Sequence, residues 1–159
     1  MKSVPYSGAT SGERAQAETR KILRRLGCEK IGLMTDDANH ELVLYFEHRG
    51  RAVQLRVSAK GWAAAWLKEN PYGYRCRRSR VEYEQEALKQ GRLAVSSMLR
   101  DWTKGQVTAI ETGMFTFEEA FMPHMLTHDG RPLIERAREL LPKPDEPKVV
   151  QIPHKPGAA

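Results

Sequence analysis

Long hydrophobic runs are missing from this chain of 159 residues. No stretch approaches the ~18 uninterrupted apolar residues that read as a membrane-spanning helix. Residues 1–6 (MKSVPY) also lack the apolar run of a secretory signal. These absences predict a cytoplasmic protein with no membrane partner.

Cysteine is scarce as well, with only Cys28 and Cys76. They lie far apart and outside any C-x-x-C spacing, which argues against a disulfide framework and a zinc cluster. Two histidines, His124 and His128, stand one helical turn apart, but no Glu or Cys supports them at ligand spacing. Glycine-rich phosphate loops and a Gly-x-Ser-x-Gly elbow are also missing. We therefore expect no enzymatic activity, no cofactor and no metal site.

Positive charge is plentiful but unevenly placed. Residues 1–80 hold 16 Lys and Arg against 8 Asp and Glu, whereas residues 81–159 hold 10 against 12, which together give the net charge of +6. Localised positive charge favours polyanionic partners, chiefly nucleic acid. A solvated basic face that only aids solubility is the alternative.

The first half of the chain has the pattern of a small α+β fold. Residues 1–10 contain Pro5 and Gly8 and predict a flexible arm. Thr10-x-x-Glu13 has the form of a capping box, and apolar residues then recur at helical spacing until Gly27. Three stretches of alternating or β-prone residues between 29 and 57 predict a three-stranded antiparallel meander, and Ser58 is a plausible N-cap for a helix to about residue 68.

The second half reads as helical. Ser79-x-x-Glu82 is another capping-box pattern, opening an apolar stripe that runs to about Thr112. Thr116-x-x-Glu119 opens a short helix, and a last helix ends near residue 141. The sequence therefore predicts one α+β domain over residues 11–141, with an α-β-β-β-α core at 11–69 and a helical part at 79–141. Residues 142–159 are proline-rich and predict a disordered tail.

The sharpest local signal is a group of arginines at the start of the long helix, preceded by two tyrosines. Guanidinium groups suit bidentate phosphate contacts, and tyrosines can stack on unpaired bases. An arginine run at a helix start opposes the helix dipole, so its presence calls for an explanation. The predicted nucleic-acid contacts, which include basic residues elsewhere in the first half, are Arg20, Arg24, Arg25, Arg56, Lys60, Tyr72, Tyr74, Arg75, Arg77, Arg78 and Arg80.

Two families share the predicted order of elements. The α-β-β-β-α pattern over about residues 12–68 resembles the double-stranded-RNA-binding domain, with Lys60 where that family has a lysine-rich turn. A helix, three strands and a helix also resemble the core of the PD-(D/E)xK nucleases, with Asp36 or Asp37 in place of the first acid. The strand that should carry the second acid reads Gln-Leu-Arg-Val at 54–57, so a nuclease remains a remote alternative.

The chain as a whole resembles a family of small proteins encoded by bacterial temperate phages and prophages. The stretches that carry the resemblance are residues 9–15 (ATSGERA), 58–64 (SAKGWAA), 99–109 (LRDWTKGQVTA) and 118–125 (EEAFMPHM). The resemblance implies an intracellular role linked to a phage, in DNA metabolism or host takeover, and supplies no site residues.

Two functions are consistent with these patterns. The first is a non-enzymatic accessory protein that binds nucleic acid, DNA more readily than RNA, through arginines. The second is a module that inhibits or recruits a host or phage enzyme through an exposed patch around Phe117 and Phe121, although the helical spacing of the aromatic residues favours the core.

Overall fold

The computed structural model describes residues 4–143 and confirms the α+β class. In chain order the elements are α1 (Gly12–Leu26), β1 (Glu29–Asp36), β2 (Glu41–His48), β3 (Arg51–Ser58), α2 (Ala59–Glu69), α3 (Arg80–Glu111), α4 (Phe117–Phe121), a 3₁₀ turn (Met122–His124) and α5 (Leu133–Leu140). Among the described residues, no helix combines the length and apolar character needed to cross a membrane.

Helix starts follow the hydroxyl residues of the sequence closely. The capping boxes of Ser79 with Glu82 and of Thr116 with Glu119 are both formed, and Ser58 caps α2. The prediction for α1 was off by one residue, because the side chain of Ser11, not that of Thr10, accepts the Arg14 backbone N–H. A serine at this position satisfies one of the amides that a helix start leaves without an intrahelical partner.

The three strands form an antiparallel sheet in the order β1-β2-β3. Leu42, Leu44 and Phe46 of β2 lie opposite Val57, Leu55 and Val53 of β3, so the alternating apolar residues of both strands share one face. That face packs against α1, α3 and the C-terminal aromatic residues to form the main core. The other face is more open to solvent, with Met34 and Arg56 exposed, Tyr45 and Gln54 half-buried and Val43 buried.

Helix α3 is the longest described helix, and it packs against α2 along its first half and against α1 along its second half. Gly12 at the start of α1 lies against Leu93 and Ser96, and Arg25 near its end bonds Glu111, so α1 runs parallel to the second half of α3. Helix α2 packs antiparallel against the first half. At 1.5 Å per residue, the two ends of α3 are about 45 Å apart.

Residues 4–10 of the predicted arm form hydrogen bonds to the helices, and residues 1–3 of it lie outside the described residues. The indole N–H of Trp62 donates to the Pro5 carbonyl at 2.8 Å, and the Gln90 amide donates to the carbonyls of Ser7 and Ala9. Tyr6 donates its hydroxyl to Asp101 at 2.9 Å. Pro5 and Gly8 therefore break regular structure here without loosening the segment, since its carbonyls find side-chain donors on α2 and α3.

Phe117 and Phe121 belong to the core, as their helical spacing indicated, and the alternative of an exposed partner patch at these residues is wrong. Phe117 is 7% exposed and Phe121 is fully buried. The Phe121 ring lies 5.3 Å from that of Phe46 and 5.8 Å from that of Trp102. Edge-to-face aromatic contacts of this kind join α4 to the sheet and to α3.

The last described segment returns to the sheet edge. Met125 forms an isolated bridge with Val53 of β3, and the Leu126 amide donates to the Ala52 carbonyl at 2.8 Å. Helix α5 then ends at Leu140. The predicted disordered tail over residues 142–159 lies, from residue 144 onward, outside the described residues.

Candidate nucleic-acid interface

The loop between α2 and α3 is held in place by tyrosines on one side. The Tyr83 ring of α3 lies 5.4 Å from Trp66 and 5.6 Å from Tyr72, and its hydroxyl donates to the Asn70 carbonyl. The Tyr72 hydroxyl donates to the Arg78 carbonyl at 2.8 Å. Tyr72 thus fixes the course of the loop, and its hydroxyl is already engaged within the protein.

Tyr74 points the other way. Its side chain is 91% exposed, the largest exposure among the described large hydrophobic residues. Arg75 lies beside it, with the guanidinium carbon 5.6 Å from the ring centroid and Nε donating to the Tyr74 hydroxyl at 3.2 Å. The guanidinium lies over one face of the exposed tyrosine ring, and exposed aromatic rings are surfaces on which unpaired bases stack.

Three arginines of the loop are exposed: Arg75, Arg77 and Arg78. Within residues 4–143, no carboxylate oxygen lies within 4.0 Å of any of these three guanidinium groups. The Arg78 charge does help to lower the pKa of Glu82, although the main cause is the hydrogen bond that the Glu82 carboxylate accepts from the Ser79 backbone N–H. We call Tyr74, Arg75, Arg77 and Arg78 the loop cluster.

Arg80 differs from the loop cluster although it is adjacent in sequence. Its Nε donates to the Glu84 carboxylate at 3.0 Å, one helical turn further along α3. This i,i+4 pair neutralises the charge that would otherwise oppose the helix dipole. Within the described residues Arg80 is therefore engaged by a carboxylate, unlike the three arginines of the loop cluster.

Two further predicted contacts are engaged by carboxylates. Arg25 bonds both oxygens of Glu111, with Nε at 2.9 Å and Nη2 at 3.2 Å, and so joins the end of α1 to the end of α3. Arg56 on the open face of the sheet donates to Glu41 at 2.8 Å. On the same face Lys30 pairs with Glu47, so Lys30 and Arg56 are both engaged by carboxylates.

Arg20, Arg24 and Lys60 complete the predicted set. None of the three forms an ion pair within the described part of the chain. Arg20 and Arg24 lie on the second half of α1, and Lys60 lies in the first turn of α2. Because Arg25 meets Glu111, the arginines at the end of α1 are about 45 Å from the loop cluster along α3. The predicted contacts thus fall into separate groups and do not form one surface.

The acids that could imitate a nuclease site have structural partners. Asp36 accepts hydrogen bonds from the backbone and side chain of Asn39, which close the β1-β2 turn and lower the pKa of Asp36. Asp37 pairs with Arg92 of α3 at 3.1 Å. Over residues 4–143, no group of three His, Cys, Asp or Glu side chains is arranged to hold a metal ion.

The two histidines at helical spacing do not share a helix. His124 ends the 3₁₀ turn and its ring meets the edge of Trp102 at 5.6 Å, where burial lowers its pKa. His128 is exposed in the following turn. The chain between them is extended, because Met125 and Leu126 form bridges with Val53 and Pro132.

A cavity at the turn between β2 and β3 was not foreseen from the sequence. It has a volume of about 390 Å³ and lies beside Arg49, in the first position of the turn. The unusual residue in the sequence here is Arg49, since two-residue turns with positive φ favour Asn, Asp or Gly, but a turn residue does not indicate a cavity formed with distant helices.

Comparisons with known proteins do not extend these observations. No family model, no curated protein and no solved structure matches this chain.

Proposed function

We propose that this protein is a non-enzymatic accessory protein that binds nucleic acid through the loop cluster. The observation that carries the proposal is the contrast between paired and unpaired arginines. Arg25, Arg56 and Arg80 each hold a carboxylate, whereas Arg75, Arg77 and Arg78 have none within the described residues. Exposed cations that the fold does not neutralise are available to phosphates.

Tyr74 makes a single strand the favoured form of the ligand. An exposed aromatic ring stacks on an unpaired base irrespective of its sequence, and such stacking contributes about 1–3 kcal/mol per base. Arg75 lies against the same ring and can contact the phosphate next to a stacked base. Tyr72 and Tyr83 hold the loop in its conformation before a ligand binds, which lowers the entropy that the loop loses on binding. DNA is the first ligand to test, with RNA as the comparison.

The resemblance of the sequence to small phage-encoded proteins is the basis on which we propose a role in phage DNA metabolism, in which a strand-binding protein protects or presents DNA. The engagement of Asp36 and Asp37 in structural contacts supports a role without catalysis. The burial of Phe117 and Phe121 leaves the alternative of a protein-interaction module without the patch on which it depended.

Fluorescence anisotropy with labelled oligonucleotides tests the proposal. We expect single-stranded DNA to bind more tightly than a duplex of the same length, with affinity falling steeply as salt rises from 50 to 200 mM. Replacing Arg75, Arg77 and Arg78 with Gln should reduce the log–log salt slope by about 2, at ~0.7 per lost single-strand contact. Tyr74→Ala should weaken single-strand binding and leave that slope nearly unchanged.

A matched control removes the same charge from α1, whose end lies beside the opposite end of α3. The triple variant Arg20→Gln, Lys21→Gln, Arg24→Gln also lowers the net charge by three, but on α1. If only net charge matters, the two triple variants should lose affinity equally, and the loop cluster would then have no special role. An absence of binding to every oligonucleotide at 50 mM salt would end the proposal.

A further inference from the structure

The turn between β2 and β3 sits at the mouth of a cavity, at the end of the molecule opposite the loop cluster. The cavity is lined by the end of α1, the end of α3, the start of α4 and this turn, is partly open to solvent, and has a volume of about 390 Å³. That volume is within the range of small-molecule sites, which begins at about 300 Å³. Its lining includes Leu26, His48, Arg49, Arg51, Ile110 and Phe117.

The apolar part of this cavity is built from three elements. Leu26 comes from α1, Ile110 from α3 and Phe117 from α4, and all three pack against the main core. The His48 ring lies over Phe117 with centroids 4.4 Å apart and planes 33° apart. The cavity therefore has an apolar and aromatic wall that suits a flat, weakly polar group.

The mouth of the cavity is basic. Arg49 is exposed and, within the described residues, no carboxylate lies within ion-pair distance of it. Arg51 also lines the cavity, and its Nε is 3.5 Å from Glu118, with both side chains about half exposed. Glu118 is the acid in the lining, so the cations Arg49 and Arg51 outnumber it.

Arg49 occupies its position at a conformational cost. Its φ is 48° and that of Gly50 is 77°, so both central residues of the turn have positive φ, as in a type I′ turn. Asn, Asp or Gly would adopt this conformation with less strain than Arg. Strain held at a cavity mouth is a recognised feature of ligand clamps.

From these observations we infer that the cavity binds a nucleotide, with its base against the His48 ring and Ile110 and its phosphate on Arg49. The aromatic and apolar wall suits a heterocyclic base, and the guanidinium of Arg49 beside it suits the attached phosphate. This site is separate from the loop cluster and does not depend on the function proposed for it.

Isothermal titration calorimetry at low salt tests the inference with adenosine 5′-monophosphate as the probe. Adenosine and inorganic phosphate are the comparison ligands, because each contains only one of the two parts of the nucleotide. We expect the nucleotide to bind with a Kd below about 1 mM and more tightly than either half. In NMR spectra the same titration should shift the ring protons of His48 and Phe117.

Arg49→Gly is the decisive variant because it removes the cation and relieves the turn at once. The melting temperature should stay the same or rise, so that a loss of binding cannot be attributed to unfolding. Affinity for the nucleotide should fall about tenfold or more, as expected when a charged hydrogen-bond partner is removed. Arg77→Gln in the loop cluster is the control and should leave nucleotide affinity unchanged.

A 5′-phosphorylated trinucleotide tests whether the cavity binds the end of a strand or a free nucleotide. Tighter binding than the mononucleotide would assign the cavity to a strand end, and equal or weaker binding would assign it to free nucleotides. Equal affinity for inorganic phosphate and the nucleotide would overturn the inference, since the base would then contribute nothing. Unchanged affinity in Arg49→Gly, or no nucleotide binding at all, would overturn it too.

Discussion

Gly91 of α3 and Ala59 of α2 are so close that a Cβ added to Gly91 would lie 2.9 Å from the Ala59 carbonyl oxygen. The same Cβ would lie 3.4 Å from the Ala59 side chain and 3.4 Å from the Trp62 ring. Helices α2 and α3 therefore cross at this glycine, and the contact involves backbone, which cannot move aside as a flexible side chain can. The position of the loop cluster depends on this crossing, because the loop joins the two helices.

We expect Gly91→Ala to destabilise the protein by about 1–3 kcal/mol, the usual cost of inserting atoms into a packed contact. Gly105→Ala in the same helix is the matched control, since nothing lies within 4 Å of its added Cβ. There alanine should stabilise by roughly 0.5–1 kcal/mol through its better helix propensity. Urea denaturation of both variants measures the difference, and equal effects would mean that the crossing is looser than described.

A second prediction concerns Phe121, which is fully buried between Phe46, Phe117 and Trp102. Phe121→Ala should cost about 3–5 kcal/mol because the cavity left in the core cannot fully collapse. Phe115→Ala is the control, since Phe115 is 43% exposed and its loss should fall within about 0.5 kcal/mol. Equal thermal stability of the two variants would contradict the placement of α4 in the core.

Much of the fold was predictable because its signals are local. The alternation in β2 and β3 and the hydroxyl-to-acid spacing at Ser79 and Thr116 are short-range patterns whose physics does not depend on the rest of the chain. The course of residues 4–10 was not predictable. It depends on Trp62 and Gln90, more than fifty residues away, meeting the carbonyls of the segment.

The candidate site was predictable in composition but not in arrangement. The sequence indicated which residues are basic, yet it could not show that Arg25 meets Glu111 or that Arg56 meets Glu41. Ion pairs of this kind are set by tertiary proximity, and they decide which cations remain available. The separation of the α1 arginines from the loop cluster likewise follows from how α1 packs along α3, which residue spacing does not encode.

A third prediction concerns Asp129, which links the turn before α5 to that helix. Its carboxylate accepts a hydrogen bond from the Thr127 hydroxyl and is 2.6 Å from Nη2 of Arg136. The Thr127 bond, then the Arg136 bond, hold the pKa of Asp129 far below its ordinary value of 3.8. A lowered pKa means that the contribution to stability is complete above the ordinary pKa and is lost as the pH falls below it.

We therefore expect the helical NMR chemical shifts of α5 to be constant from pH 7 to about 5 and to decline as the pH falls towards 2. Asp129→Asn should show the low-pH pattern at every pH, since its side chain carries no charge. Glu135→Gln, which removes an acid from the first turn of α5, is the control for general charge effects. If wild type and Asp129→Asn had the same shifts at pH 7, the carboxylate would not hold the helix.

The last prediction uses the two cysteines to report on the loop. Cys28 is buried in the core, and burial raises the pKa of its thiol to about 11. Because the thiolate is the reactive form, Cys28 should be alkylated very slowly by iodoacetamide at pH 8. Cys76 lies within the loop between Arg75 and Arg77 and is only half-buried, so it should react first. Mass spectrometry of the modified peptides measures both rates, and Cys76→Ser isolates the slow rate of Cys28.

Saturating single-stranded DNA should then slow the alkylation of Cys76 severalfold and leave that of Cys28 unchanged, because a strand on Arg75, Arg77 and Tyr74 covers the thiol between them. Unaltered Cys76 alkylation at a DNA concentration that saturates the anisotropy signal would place the bound strand elsewhere on the protein.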